Sequence, residues 1–167
     1  MVTGSCSGLE MVPGEVRIVD FPETRVAVFM HRGDPAKVGA SVERFREWRK
    51  EHGLIPPGSA TFNIIYDDPA TVSPGNYRLD LCASVSKEDD CRGCGVLCRS
   101  IPAGRCAVLR HVGPDDTLGE SIRRLVAGWF PESGEKRRGF PIFLQRVRSY
   151  PEVPVGEEVI DVFLPIA

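Results

Sequence analysis

Three cysteines, Cys91, Cys94 and Cys98, stand in the run CRGCGVLC, with Cys82 shortly before them. A CxxC on a loop is half of a zinc site and also the spacing of a redox dithiol, since two thiolates two residues apart can meet on one metal ion or on each other. The second CxxC of a zinc ribbon is absent, so no metal is assigned. Unpaired thiols in an exposed loop are the expectation, with a metal or redox role for Cys91, Cys94 and Cys98 as the alternative; Cys6 and Cys106 add no signal. His31 and His111 each stand two residues before a glycine and invite a catalytic reading. Nothing near them in sequence supplies the Ser or Cys nucleophile that such a base would serve, so they read as scaffold and no catalytic residue is assigned.

Other chemistry-bearing residues are apolar. Trp48, Trp129, Phe140, Phe143 and Phe163 are large aromatics that either fill a core or wall a site for a hydrophobic ligand. Asn63 interrupts an apolar stretch and, if buried, needs a polar partner, which a ligand or water can provide. With Ile65 it reads as the first-half equivalent of Pro141 and Phe143, and both pairs are expected to face one seam.

The elements that must carry these residues come from an internal duplication. VRIVDFPETRVAVFMHRG, from Val16 to Gly33, lies without a gap over VLCRSIPAGRCAVLRHVG, from Val96 to Gly113. Pro22/Pro102, Arg25/Arg105, Ala27/Ala107, Val28/Val108 and His31/His111 are identical. Each copy reads as two strands broken at a proline and paired as a hairpin. A helix follows, capped by Asp34, opened by Pro35 and striped by Val38, Val42 and Phe45, ending near Gly53. Its second copy carries Leu118, Ile122, Leu125 and Trp129, and Pro131 is expected to stop it. Strands at Thr61 to Tyr66, Tyr77 to Val85, Pro141 to Val147 and Glu158 to Leu164 complete the halves, with Asp80 and Asp161 at matching places. The expected fold is α+β: eight largely antiparallel strands with two long helices on one face, related by a pseudo-twofold axis with a groove between the halves. The tail spans 1–13 and one domain spans 14–167, with repeat 1 at about 14–86, a connector at about 87–95 and repeat 2 at about 96–167.

Composition narrows the functional classes. With 167 residues, 42% hydrophobic and 26% charged, the chain is ordinary for a globular domain, and its 17 Gly and 14 Pro suit many short strands. A net charge of -2 gives no global field toward phosphates, so direct nucleic-acid binding is not expected. Neither a signal peptide nor a membrane span is evident, and the chain is read as cytoplasmic with reduced thiols.

The ordered series NIIYDDP (Asn63 to Pro69), YRLDLCASV (Tyr77 to Val85), IPAGRCAVLRHVGP (Ile101 to Pro114), GWFPESG (Gly128 to Gly134), GFPIFLQ (Gly139 to Gln145) and VIDVFLPI (Val159 to Ile166) resembles the gyrase-inhibitor-like domain. The likeness runs from about Val16 to Ile166. It implies an effector-binding domain, related to those of AraC-type and MerR-type multidrug regulators, the free-standing gyrase inhibitor and hydrolases of cyclopropane-containing toxins. It also implies an aromatic-walled pocket, commonly with a buried glutamate that would balance a cationic ligand. In relatives the penultimate strand carries Phe-Glu-x-Tyr; set against Phe140, Pro141, Ile142 and Phe143, the acid position falls on Pro141. Asp161 on the last strand is the expected replacement.

The resemblance and the residues together give a ligand-binding set of Trp48, Asn63, Ile65, Trp129, Phe140, Phe143, Asp161 and Phe163, with no cofactor. The expected function is a stand-alone binding protein, sensor or sequestering, for a lipophilic and cationic small molecule. A hydrolase of strained electrophilic toxins in the same pocket is one alternative, and an inhibitor acting on a protein partner such as gyrase is another; a separate regulator is a further partner. The dozen or so residues before the first strand leave no room for a helix-turn-helix, so direct transcriptional control by this chain is not expected.

Overall fold

The computed structural model describes residues 11–86, 91 and 95–167. In chain order the strands and helices are β1 (Val16–Phe21), β2 (Thr24–Arg32), α1 (Val38–Glu51), β3 (Thr61–Ile65), β4 (Arg78–Ser84), β5 (Val96–Ile101), β6 (Gly104–Val112), α2 (Leu118–Arg123), α3 (Phe130–Ser133), β7 (Phe143–Arg148) and β8 (Val159–Pro165). The fold is α+β, and every pairing within each unit described below is antiparallel.

The chain forms two compact units, Thr24–Ile101 and Pro102–Ala167 with the chain up to Glu23. In the first, β4 pairs with β3 and β2, and β2 pairs with β5. In the second, β8 pairs with β7 and β6, and β6 pairs with β1. The strand order is therefore duplicated, but the expected hairpins do not form: β1 lies on β6 and β5 on β2. The links explain this. A two-residue hairpin needs positive φ in its turn, usually from Gly or Asn, whereas the links are Pro22-Glu23 and Pro102-Ala103. Proline holds φ negative, so the chain runs on extended, and the first strand of each repeat joins the unit built from the other.

Each unit packs a helix on one face of its sheet. Asp34 accepts the Ala36 N–H at 2.9 Å, satisfying a donor that the helix start leaves open, with Pro35 beside it where no N–H is needed. On α1 the buried residues are Phe45, Trp48 and Arg49. Phe45 and Trp48 close a cluster with Ala27, Leu81, Ala83 and Val96 of the sheet. The second helix does not stop at Pro131. Over Arg124–Trp129 it widens to π spacing, with the Phe130 N–H reaching the Leu125 carbonyl. Pro131 then enters at the start of α3, where its missing donor costs nothing, and Gly134 at φ 74 ends the run. No helix among the described residues is long and apolar enough to cross a membrane.

Candidate functional site

In the Thr24–Ile101 unit the site is built on the helix face. Residues directly opposite in a ladder share a face. Asn63 lies opposite Leu81 and Ile65 opposite Leu79, and Leu81 belongs to the cluster under α1. Trp48, Asn63 and Ile65 thus lie on one side of this sheet. Trp48 stacks on Phe45 with centroids 5.7 Å apart and on His52 at 4.3 Å. A cavity of about 180 Å³ is lined by Phe29, Arg44, Glu47, Trp48 and Glu51. Four of these are on α1 at spacings of three and four, which puts them on neighbouring ridges of the helix. The Arg44 guanidinium sits 5.4 Å from the centre of the Phe29 ring, the face a bound cation would use.

Arg49 holds this wall in place. Buried, it donates from Nε to the Leu54 carbonyl at 2.6 Å, from Nη1 to Thr61 Oγ1 at 2.8 Å and from Nη2 to the Ser59 carbonyl at 3.2 Å. Burial lowers its pKa to about 10, which leaves it charged at neutral pH. One side chain therefore ties the end of α1 to the loop leading into β3.

In the other unit Phe143 and Phe163 are fully buried and stack at 4.8 Å, 4° from parallel. Phe21 meets both edge-on, at 4.9 and 5.2 Å, and Phe140 meets Phe143 edge-on at 6.0 Å. His111 of β6 bonds Ser121 of α2, so alternate residues from His111 face the helix and Val108 faces away. Phe163 lies opposite Val108 and Phe143 opposite Phe163, which puts the aromatic cluster on the face away from the helix. Trp129, half-buried, rides the helical segment on the other face.

That register corrects two sequence expectations. Phe62 lies opposite Cys82 and Asn63 opposite Leu81, as Phe143 lies opposite Phe163 and Leu144 opposite Val162. The counterpart of Asn63 is therefore Leu144, and that of Phe62 is Phe143, not Pro141 and Phe143 as the counterparts of Asn63 and Ile65. Pro141 precedes β7, so the Phe-Glu-x-Tyr pattern of the penultimate strand falls on Phe143, Leu144 and Arg146. The acid is still missing, but leucine stands in its place.

The expected replacement, Asp161, already has a partner. Its carboxylate accepts Arg110 Nε at 2.8 Å and Nη2 at 3.0 Å, with the aspartate 1% exposed. Its repeat counterpart Asp80, also buried, lies opposite Met30 where Asp161 has Arg110. Asp80 accepts instead from Arg32 Nη1 at 3.0 Å and Tyr66 Oη at 2.6 Å, with Arg99 at 3.9 Å. Burial, then the bond to Asp80, pushes the Tyr66 phenol up to about 12. A carboxylate clamped in this way is a poor free counter-charge.

The histidines are matched scaffold. His31 Nδ1 accepts from Ser41 at 2.7 Å and His111 Nδ1 from Ser121 at 2.8 Å, while Nε2 of each donates to carbonyls of the following turn, Asp34 at 3.1 Å and Pro114 at 3.0 Å. Among the cysteines, Cys91 and Cys98 form a disulfide, so the expected unpaired thiols are bonded to each other. Cys82 and Cys106 are buried and take no part in the disulfide; Arg138 Nη2 donates to Cys106 Sγ at 3.5 Å, and burial pushes Cys82 well above the usual thiol range. Cys6 and Cys94 lie outside the described residues. No three His, Cys, Asp or Glu side chains converge as a metal site among the described residues.

Sequence reading missed Phe29, Arg44, Glu47, Glu51 and Arg110. The helix spacing of Arg44, Glu47, Trp48 and Glu51 was available as a signal; the Arg110–Asp161 pairing needs the β6–β8 register.

A family model described as a GyrI-like small molecule binding domain matches residues 14–167. A relative from Escherichia coli strain K12, described as the probable transcriptional regulator YgiV, is 39% identical over 154 residues, covering 92% of this chain and 96% of the relative. The C-terminal domain of EcmrR aligns with a TM-score of 0.74 at 15% identity, covering 92% of this chain and 97% of that one. In the EcmrR–DNA complex the TM-score is 0.75 at 15% identity, and the match covers 91% of this chain but only 57% of that one. The structure of SAV2435 bound to tetraphenylphosphonium aligns with a TM-score of 0.63 at 7% identity, covering 92% of this chain and 94% of that one. At these identities the solved structures speak to the fold, whereas the family match and the closer relative speak to descent. The chain belongs to the GyrI-like small-molecule-binding domain family.

Proposed function

We propose that the chain binds a lipophilic, cationic small molecule without converting it, and that Trp48 and Phe29 form the apolar contact while Glu47 and Glu51 supply the counter-charge. The observation that carries this reading is the cavity on α1, where two aromatic rings and two carboxylates meet. An aromatic face attracts a delocalised cation, and Arg44 already occupies the Phe29 face in that way. A ligand cation would take the place of that guanidinium. Asn63 and Ile65, on the same face, extend the contact surface. Phe140, Phe143 and Phe163 form an aromatic group on one face of the other unit, and Trp129 lies on its helical face. Leu144 at the acid position and the clamped Asp161 favour binding over proton-transfer chemistry. The tetraphenylphosphonium carried by SAV2435 is support by likeness of fold, and YgiV, described as a probable transcriptional regulator, and EcmrR, solved with DNA, are support for a link to regulation.

Titration with tetraphenylphosphonium and with a rhodamine, read by fluorescence and followed by mass analysis of the ligand, tests the reading. Arg44→Gln should tighten binding, and Glu47→Gln with Glu51→Gln should weaken it, each by about two- to fivefold, the effect of one exposed cation–aromatic or ion contact. Saturable binding that none of the three changes alter would place the ligand elsewhere.

A further inference from the structure

Cys98 is exposed on β5, whereas Cys91 is 7% exposed and lies in the apolar cluster with Phe45 and Trp48. Their Cα atoms are 5.1 Å apart, within the span of a bridge. Around Cys98 a cavity of about 310 Å³ is lined by Arg25, Arg99 and Ser100. Register accounts for the grouping. Cys98 lies opposite Ala27 and Ser100 opposite Arg25, so Arg25 sits diagonally across the ladder from Cys98 on the same face. Arg99, which is also within 3.9 Å of Asp80, points from the other face and completes the cavity around the strand. Arg25, Ser100 and the exposed Cys98 share one face, with Arg99 flanking the strand from the other, an arrangement that suits a reagent carrying both carboxylates and sulfur.

We propose that Cys98 is a thiol–disulfide exchange site for a carboxylate-bearing low-molecular-weight disulfide, with Cys91 as the resolving thiol. Starting from the reduced protein, the Cys98 thiolate attacks one sulfur of the small disulfide, forming a mixed disulfide and releasing one small thiolate. The Cys91 thiolate then attacks Cys98 Sγ, forming the protein disulfide and releasing the second. Two protein thiols and one small disulfide become one protein disulfide and two small thiols, and the two protons leave on the small thiols. The accessible, arginine-flanked sulfur suits the attacking role, because nearby cations favour thiolate and an anionic reagent. The buried partner suits the resolving role, since external reagents cannot reach it first.

The test uses the full chain, reduced, and glutathione disulfide as the probe, with hydroxyethyl disulfide as a neutral control. Alkylation and peptide mass mapping should find Cys91 joined to Cys98. Cys91→Ser should trap one glutathione on Cys98, and Cys98→Ser should block oxidation of Cys91. In the Cys91→Ser background, added salt and Arg25→Gln should each slow the reaction with glutathione disulfide several-fold, up to roughly tenfold, relative to the neutral reagent. Salt dependence needs no variant, so a misfolded Arg25→Gln protein leaves the proposal testable. Glutathione trapped on Cys94 in place of Cys98, or the same salt dependence for both reagents, would overturn it.

Discussion

Replacing Arg110 with methionine removes the partner of a carboxylate that has nowhere else to go. Asp161 is 1% exposed and its two oxygens accept both Arg110 bonds, at 2.8 and 3.0 Å, while the Arg110 side chain is 16% exposed. Methionine keeps most of the apolar stem of arginine, so the loss isolates the charge. Breaking one side of a buried pair costs about 3–5 kcal/mol, because the remaining ion pays its desolvation unaided. At about 2–4 °C per kcal/mol for a chain of this size, Tm should fall by roughly 10 °C. Adding Asp161→Leu to Arg110→Met should restore most of the stability, since a well-packed apolar pair often replaces a buried ion pair without loss. Urea unfolding of the two single variants and the double variant gives the coupling directly. A cost for Arg110→Met below about 1 kcal/mol, or a double variant no better than the single, would refute the claim that Arg110 balances the Asp161 charge; Asp161 would then be available to a ligand.

Three further outcomes follow from the geometry. Ser41→Ala and Ser121→Ala remove matching bonds to His31 and His111, so each should cost about 1 kcal/mol in urea melts; a large inequality would mean that the two copies no longer do the same job. The Tyr66 phenol, raised to about 12, holds its proton more tightly folded than unfolded. Its contribution is complete below the ordinary value near 10 and is lost as pH rises through about 12, so Tyr66→Phe should lose less stability over that window than the parent and should delete the latest step of an ultraviolet phenol titration. Gly104 has φ +154, and a Cβ there would meet the Arg138 guanidinium at 2.7 Å. Arg138 is anchored by bonds to the carbonyls of Ile166 and Arg105. Gly104→Ala should therefore cost about 1–3 kcal/mol by thermal melt, and an unchanged Tm would show that the guanidinium moves aside freely.

How far the fold was legible depended on whether its cause was local. The Asp34-Pro35 helix start and the strand positions are written in adjacent residues, and the structure contains them to within about two residues. Strand pairing is not local. The turn chemistry at Pro22-Glu23 and Pro102-Ala103 argued against hairpins from the start, since neither link offers a residue suited to positive φ. The identities between the copies mark their similarity and carry no information on which strands pair. The exchanged first strands follow once the links are taken as extended.

The candidate site shows the same division. Trp48 was found through the helix stripe, and its neighbours Arg44, Glu47 and Glu51 were readable by the same periodicity, one turn to either side. Asp161 was found as a position but not as a partner, because Arg110 reaches it across a ladder whose register no sequence period encodes. In sequence, Phe140 offers a start for the Phe-Glu-x-Tyr pattern that puts the acid at Pro141. A proline with no N–H to give a ladder makes a poor member of a paired strand, so β7 begins beyond it, at Phe143. The same physical rule that displaced the hairpins, that proline ends or redirects pairing, therefore also moves the family pattern onto Phe143 and Leu144. A carboxylate placed at the buried Leu144, opposite the buried Val162, would face the helix with no arginine opposite it in the ladder, unlike Asp161. An acid there would have to be balanced by a bound cation, and in the binding we propose the exposed carboxylates of α1 take over that role.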